Sequence, residues 1–152
     1  MLRINRQTDY AVRVLLALAK HPPGTLLSTA EIRTEMLIPK AISLRVVADL
    51  AKGKFIDTFP GRDGGIKLAR TADQINLFQV LSHFETNFIV SECIHQSGLC
   101  PFEKSCPVQR KWARLQEIIF KELESITFEE LRQDALAITT ENATAGLLEA
   151  NE

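Results

Sequence analysis

No stretch of the 152-residue sequence approaches the roughly 20 consecutive apolar residues that a membrane-spanning helix requires. Met1-Leu2-Arg3 leads directly into a helical pattern, with no apolar signal region and no small-residue cleavage site. The chain is therefore expected to stay in a reducing cytoplasm. With only 3 cysteines, an odd number, a disulfide framework is not expected there. Equally absent are a Gly-rich phosphate loop, a metalloprotease motif, an internal repeat, and a nucleophile or carboxylate pair with a local base. His21, His83 and His95 are scattered. An enzyme is not expected.

What is present suffices for a packed core: 45% of residues are hydrophobic and 24% charged. The net charge of −1 hides an asymmetry. Residues 1–75 carry 12 Lys/Arg against 7 Asp/Glu, net +5, and residues 76–152 carry 6 against 12, net −6. A basic head on an acidic body suits a nucleic-acid partner, because phosphate contacts supply most non-specific affinity.

Apolar spacing and capping signals predict three helices in the head. Thr8 caps the first, which runs to about Lys20 and ends at Pro22-Pro23-Gly24. Ser28-Thr29-Ala30-Glu31 reads as a capping box opening a short second helix to about Met36. Pro39 opens a third, which Gly53 closes. Ile42, Val46, Val47 and Leu50 of the third helix are expected inside, with Lys40, Ser43, Arg45 and Lys52 towards solvent. Alternation over 55–59 and 66–68 around Pro60-Gly61-Arg62-Asp63-Gly64-Gly65 predicts a hairpin. The fold class is thus mainly α with a small β-hairpin wing. Residues 1–75 form a winged helix-turn-helix domain, whose third helix would enter the major groove of double-stranded DNA. Lys40, Ser43, Arg45 and the wing-tip Arg62 are the candidate DNA contacts.

Residues 76–135 are expected to hold a fourth helix from Ile75 to Phe84, a cysteine-bearing loop, and a long helix from Pro107 to Ser125. On the long helix Val108, Trp112, Leu115, Ile119 and Leu123 form one stripe, and Glu117 and Lys121 an ion pair. The stripe can pack on the chain's own core or on a second copy of the helix, with Trp112, Leu115 and Ile119 at the interface. Thr127 caps one more short helix, and residues 136–152 are expected to be a weakly ordered tail.

Cys93, Cys100 and Cys106 lie within 14 residues, among Gly98, Pro101 and Ser105, which preclude a regular element. Clustered thiols on such a loop suit a soft metal or an iron–sulfur unit. Their spacing alone does not separate zinc, with His95 as fourth ligand, from iron–sulfur. Oxidant-sensing thiols of the same fold are a further alternative.

Together, Thr8-Asp9-Tyr10-Ala11-Val12-Arg13, the wing from Gly61 to Ala69, Ile75-Asn76-Leu77-Phe78-Gln79-Val80 and the three cysteines followed by Pro107 resemble the bacterial regulator family that includes IscR, NsrR and RirA. The likeness covers residues 2 to about 134. It implies a homodimeric winged-helix regulator, a repressor in the leading reading, acting on a palindromic operator. It further implies that the long helix is the dimer interface and that an iron–sulfur cluster sits on Cys93, Cys100 and Cys106, sensing nitric oxide, iron or redox status. Gln109 stands where IscR-like members place histidine, and the opening and the run Asn87–Cys93 resemble the NsrR and RirA branches. A four-iron cluster is thereby favoured over a two-iron one. Asp9 falls where the NsrR-like branch places a ligating aspartate contributed by the partner subunit, with Glu103, His95 or a small molecule as other options. Ala41 and Leu44 replace polar base-reading residues of IscR-like members, and Pro60 replaces the arginine common at the wing's start.

Overall fold

The computed structural model describes residues 3–98 and 100–149, with side chains to residue 143. Six helices and one two-stranded sheet follow each other as α1 (Arg6–Ala19), α2 (Thr29–Glu35), α3 (Lys40–Lys52), β1 (Ile56–Phe59), β2 (Gly65–Leu68), α4 (Leu77–Phe84), α5 (Pro107–Ser125) and α6 (Phe128–Glu149). Short 3-10 turns lie at Ala72–Gln74 and Glu92–Ile94. No helix among the described residues is long and apolar enough to cross a membrane.

The expected helix boundaries of the head follow from their caps, with one correction at α1, while α4 starts at Leu77 behind a capping box of Asn76 and Gln79 rather than at Ile75. Asn5, not Thr8, caps α1: its side-chain oxygen accepts from the Thr8 N–H at 2.9 Å. Thr8 is drawn inside the first turn, fully buried, because its hydroxyl serves a partner described below. Ser28 and Glu31 close the predicted capping box on α2. Pro39 and Gly53 bracket α3, and Pro107 occupies the first position of α5.

α1 is the central element. Ala11, Val14, Leu15 and Leu18 of its inner face pack with Ile32 of α2 and Val46 and Leu50 of α3. The hairpin closes this core with Phe55, Ile56 and Ile66. β1 and β2 pair antiparallel, Ile56 opposite Leu68 and Phe59 opposite Gly65, and Leu27 forms a bridge to Ile66. The wing turn demands glycine. Gly61 has φ +99°, and a Cβ on Gly64 would stand 2.0 Å from the Phe59 carbonyl oxygen.

The head and the rear helices form one core. Ile75, Val80 and Phe128 are fully buried beside α1, and backbone hydrogen bonds from Leu77 to Ile126 and from Phe128 to Ile75 stitch the starts of α4 and α6 together. Here α6 departs from expectation. A short helix and a weakly ordered tail from residue 136 are predicted, but the helix runs for 22 residues to Glu149; residues 150–152 lie outside those described. No proline interrupts the segment, and hydroxyls of Thr139 and Thr140 are satisfied on the carbonyls four residues back.

Candidate DNA-reading face and cysteine loop

α3 presents Lys40, Ala41, Leu44, Arg45, Ala48 and Lys52 on its exposed side. Arg45 is held only loosely, 4.0 Å from Asp49, with 76% of its side chain exposed. Asp49 also accepts from the Gln7 amide and lies 3.8 Å from Lys52, so the reading helix is tied to α1 on the side away from its outer face. Ser43 is corrected. Expected towards solvent, it is 4% exposed and its hydroxyl donates to the Lys40 carbonyl at 2.9 Å. It falls three residues before Val46 on the inner face, a position that helical spacing assigns to the core once α3 starts at Lys40.

Two exposed leucines adjoin the cations. Leu37, in the left-handed region at φ 53°, is 81% exposed, and Leu44 is 69% exposed. Apolar side chains on such a face can meet thymine methyl groups. At the wing, Arg62 is exposed at the tip, and the Lys67 ammonium lies 5.0 Å over the Phe59 ring. Periodicity could not single out Leu37, because its exposure follows from turn geometry rather than from a repeating face.

The cysteine loop leaves α4 at Glu85 and rejoins at Cys106. Cys93, Cys100 and Cys106 are all free and half-buried. Cys106 is the cap of α5, its Sγ accepting from the Gln109 N–H at 3.4 Å, and the Ser91 hydroxyl lies 3.2 Å from the Cys93 Sγ. Gln109, at the position expected for a histidine, instead donates its side-chain amide to the Cys93 carbonyl at 2.6 Å. Gln116 grips the same loop two helical turns later: it accepts from the Val90 N–H at 2.7 Å and donates to the Phe88 carbonyl at 3.1 Å. Phe120 stacks on Phe88 and packs on Phe78 of α4, ring centroids 6.2 and 4.9 Å apart.

Among the described residues no three Cys, His, Asp or Glu side chains are gathered closely enough to hold a metal ion. The donor chemistry nevertheless fits a cluster: three thiols on one loop, with a backbone N–H aimed at one sulfur, as iron–sulfur sites use. The other candidate ligands are otherwise engaged or apart. Asp9 is half-exposed and pairs with Arg13 at 2.8 Å, Glu103 accepts from the Gly98 N–H at 2.6 Å, and His95 is exposed.

The remaining face of α5 is bare. None of its 19 residues is buried, and Val108, Trp112, Leu115 and Ile118 are 40–53% exposed, while Ile119 and Leu123 are half-buried. The expected Glu117–Lys121 pair is present at 2.7 Å.

The family described as "Rrf2: Iron-dependent Transcriptional regulator" matches residues 4–134. The chain is similar to the HTH-type transcriptional regulator NsrR of Oceanobacillus iheyensis, 30% identical over 131 residues that span 86% of this chain and 89% of that protein. It is similar in structure to CymR, the global cysteine regulator of B. subtilis, with a TM-score of 0.72 and 22% identity over 88% of this chain and 98% of that one. It is also similar to IscR of T. potens, with a TM-score of 0.68 and 21% identity over 88% of each chain. The fold is therefore that of winged-helix regulators, and the relatives are named as transcriptional regulators rather than enzymes.

Proposed function

The chain belongs to the Rrf2 family of transcriptional regulators, and from that premise we propose that it is a homodimeric repressor whose affinity for a palindromic operator is set by an iron–sulfur cluster on Cys93, Cys100 and Cys106. The observation that carries this reading is the cysteine loop itself. Three half-buried thiols lie on a segment whose first part is held by the start of α1 at Glu85 and by Gln116 and Gln109 of α5 at Val90 and Cys93.

A bound cluster, four-iron in this reading, would supply an iron centre that reacts with nitric oxide or oxidants and is lost when iron is scarce. The chain's own residues do the rest. Thiolates of the three cysteines would be the soft donors, and the Gln109 N–H, already aimed at the Cys106 sulfur, would steady that one. The fourth donor would be Asp9 of the partner subunit, a harder and weaker ligand than thiolate. Because Asp9 lies in the first turn of α1, and Gln7 beside it holds Asp49 of the reading helix, a change at the loop has a short path to α3. Lys40, Arg45 and Arg62 would meet DNA, and the two heads of a dimer would meet half-sites about one helical turn apart.

Anaerobic purification with iron and sulfide counts, followed by DNA binding before and after nitric oxide, tests the proposal. Equal iron and sulfide, and operator affinity that falls with nitric oxide, support it. Zinc in place of iron, or metal-free thiols with affinity that answers only to oxidants, would transfer the site to the zinc or thiol alternative. Cys100→Ala should abolish cluster retention. If Asp9→Ala keeps the parent's iron content, spectrum and nitric-oxide response, Asp9 is only a first-turn carboxylate favoured by the helix dipole.

A further inference from the structure

Where the end of α1, the exit of β2 and the start of α6 meet, the surface forms an open cavity of about 840 Å³. That is the size of sites that hold small organic ligands, which concentrate where structural units meet and combine apolar walls with a few polar groups. Leu18, Pro22, Pro23, Leu68 and Ala72 form the apolar walls. No described residue of the cysteine loop lines it, so it is chemically separate from the proposed cluster site.

The cations around it differ in how far they are already engaged. Lys20 is bonded to Glu35 at 2.6 Å, and the Arg132 guanidinium is paired with Glu129. Arg70 is different. Its guanidinium sits 5.6 Å over the Phe55 ring, which orients the planar fork, and its one hydrogen bond among the described residues is a 3.5 Å contact to the Gln74 carbonyl. An oriented guanidinium with open donors is the group that binds a carboxylate through two parallel bonds. Asp73, also on the wall, disfavours ligands of higher negative charge.

We propose that this cavity binds a small amphipathic monocarboxylate, its acid on Arg70 and its apolar body against Pro22, Pro23, Leu68 and Ala72. Such an occupant touches the turn after α1, the end of the strand leaving the wing and the 3-10 turn that follows it at once, by a route independent of the cysteines.

The test is titration of the full chain with hexanoate, followed by amide NMR, beside hexanamide (the same body without charge) and acetate (the charge without a body). Saturable shifts are expected at Gly24 and residues 68–74, with hexanamide and acetate each about tenfold weaker or worse. Arg70→Gln should weaken hexanoate by about tenfold, some 1.4 kcal/mol. Absence of shifts at these amides at millimolar hexanoate overturns the proposal, as does equal binding of hexanamide. Should Arg70→Gln fail to fold, the three-ligand comparison on the unaltered chain decides the matter alone.

Discussion

Glu85, the residue where α4 gives way to the cysteine loop, accepts hydrogen bonds from both the backbone N–H and the side-chain amide of Asn5, at 2.9 and 3.1 Å, across 80 residues of sequence. The hydroxyl of buried Thr8 donates to the same carboxylate. One side chain thus clamps the cap of α1 to the root of the loop. Hydrogen bonds to a charged acceptor are worth about 1.5–3 kcal/mol each when partly screened from water. Glu85→Ala should lower the unfolding free energy by about 1–3 kcal/mol and speed amide exchange in the first turn of α1. Glu85→Gln, which keeps an acceptor, should cost less. Urea titration with hydrogen exchange checks both; an unprotected first turn in the parent would contradict the clamp.

The reading face predicts a split among the candidate contacts. Arg45→Ala and Arg62→Ala should each weaken operator binding by about 1–3 kcal/mol if they reach a base, or flatten the salt dependence if they reach only phosphate. Ser43→Ala should leave sequence preference unchanged, because that hydroxyl is committed to the Lys40 carbonyl inside the helix. Binding to an operator panel at several salt concentrations separates these outcomes.

Trp112, Leu115 and Ile119 are expected to meet a second copy of α5, since a stripe of this size is seldom left bare. The helix also has a polarity of charge that selects the direction of pairing. Lys111 lies in its basic first half, and Glu122 in its acidic second half, 11 residues or three turns later on the same side of the stripe. An antiparallel partner brings each to the other. Trp112→Ala should therefore dissociate the dimer at micromolar concentration. Lys111→Glu should weaken it by about 0.2–1 kcal/mol per pair, and adding Glu122→Lys should restore it. Sedimentation measures all three; a monomeric parent would refute the pairing.

Acid should expose the bond at the start of α6. The Arg132 side chain, helped by that of Gln133, holds the Glu129 carboxyl well below its ordinary 4.5, at about 2. A folded pKa below the unfolded one means that the contribution is fully present above about pH 4.5 and is lost as pH falls towards 2. The stability difference between the parent and Glu129→Gln should shrink over that window, as followed by urea midpoints. A difference that stays constant from pH 6 to pH 2 would mean that the pair adds nothing.

Local chemistry was enough to read much of this protein. Ser28 with Glu31, Pro39 with Gly53, and Pro107 each signal a helix end through their own backbone demands, and α2, α3 and α5 begin and stop where those signals stand. The alternation around the glycine-rich turn likewise specified the wing, because Gly64 has no room for a side chain. Three cysteines within 14 residues were equally legible as one thiol-bearing loop, which lies between α4 and α5.

What the tertiary structure decided were the choices between competing local options. Asn5 and Thr8 are both good caps, and only the carboxylate of Glu85 arriving from 80 residues away draws Thr8 inward and leaves the capping to Asn5. Ser43 turned inward because the position of α1 set which side of α3 faces the core. Gln109 and Gln116 became clamps because the loop folds back onto α5, a contact that no spacing in the sequence encodes. Fully buried Phe128 anchors α6 beside α1, and with its first turn held there each added residue gains a backbone hydrogen bond, carrying the helix past the expected tail.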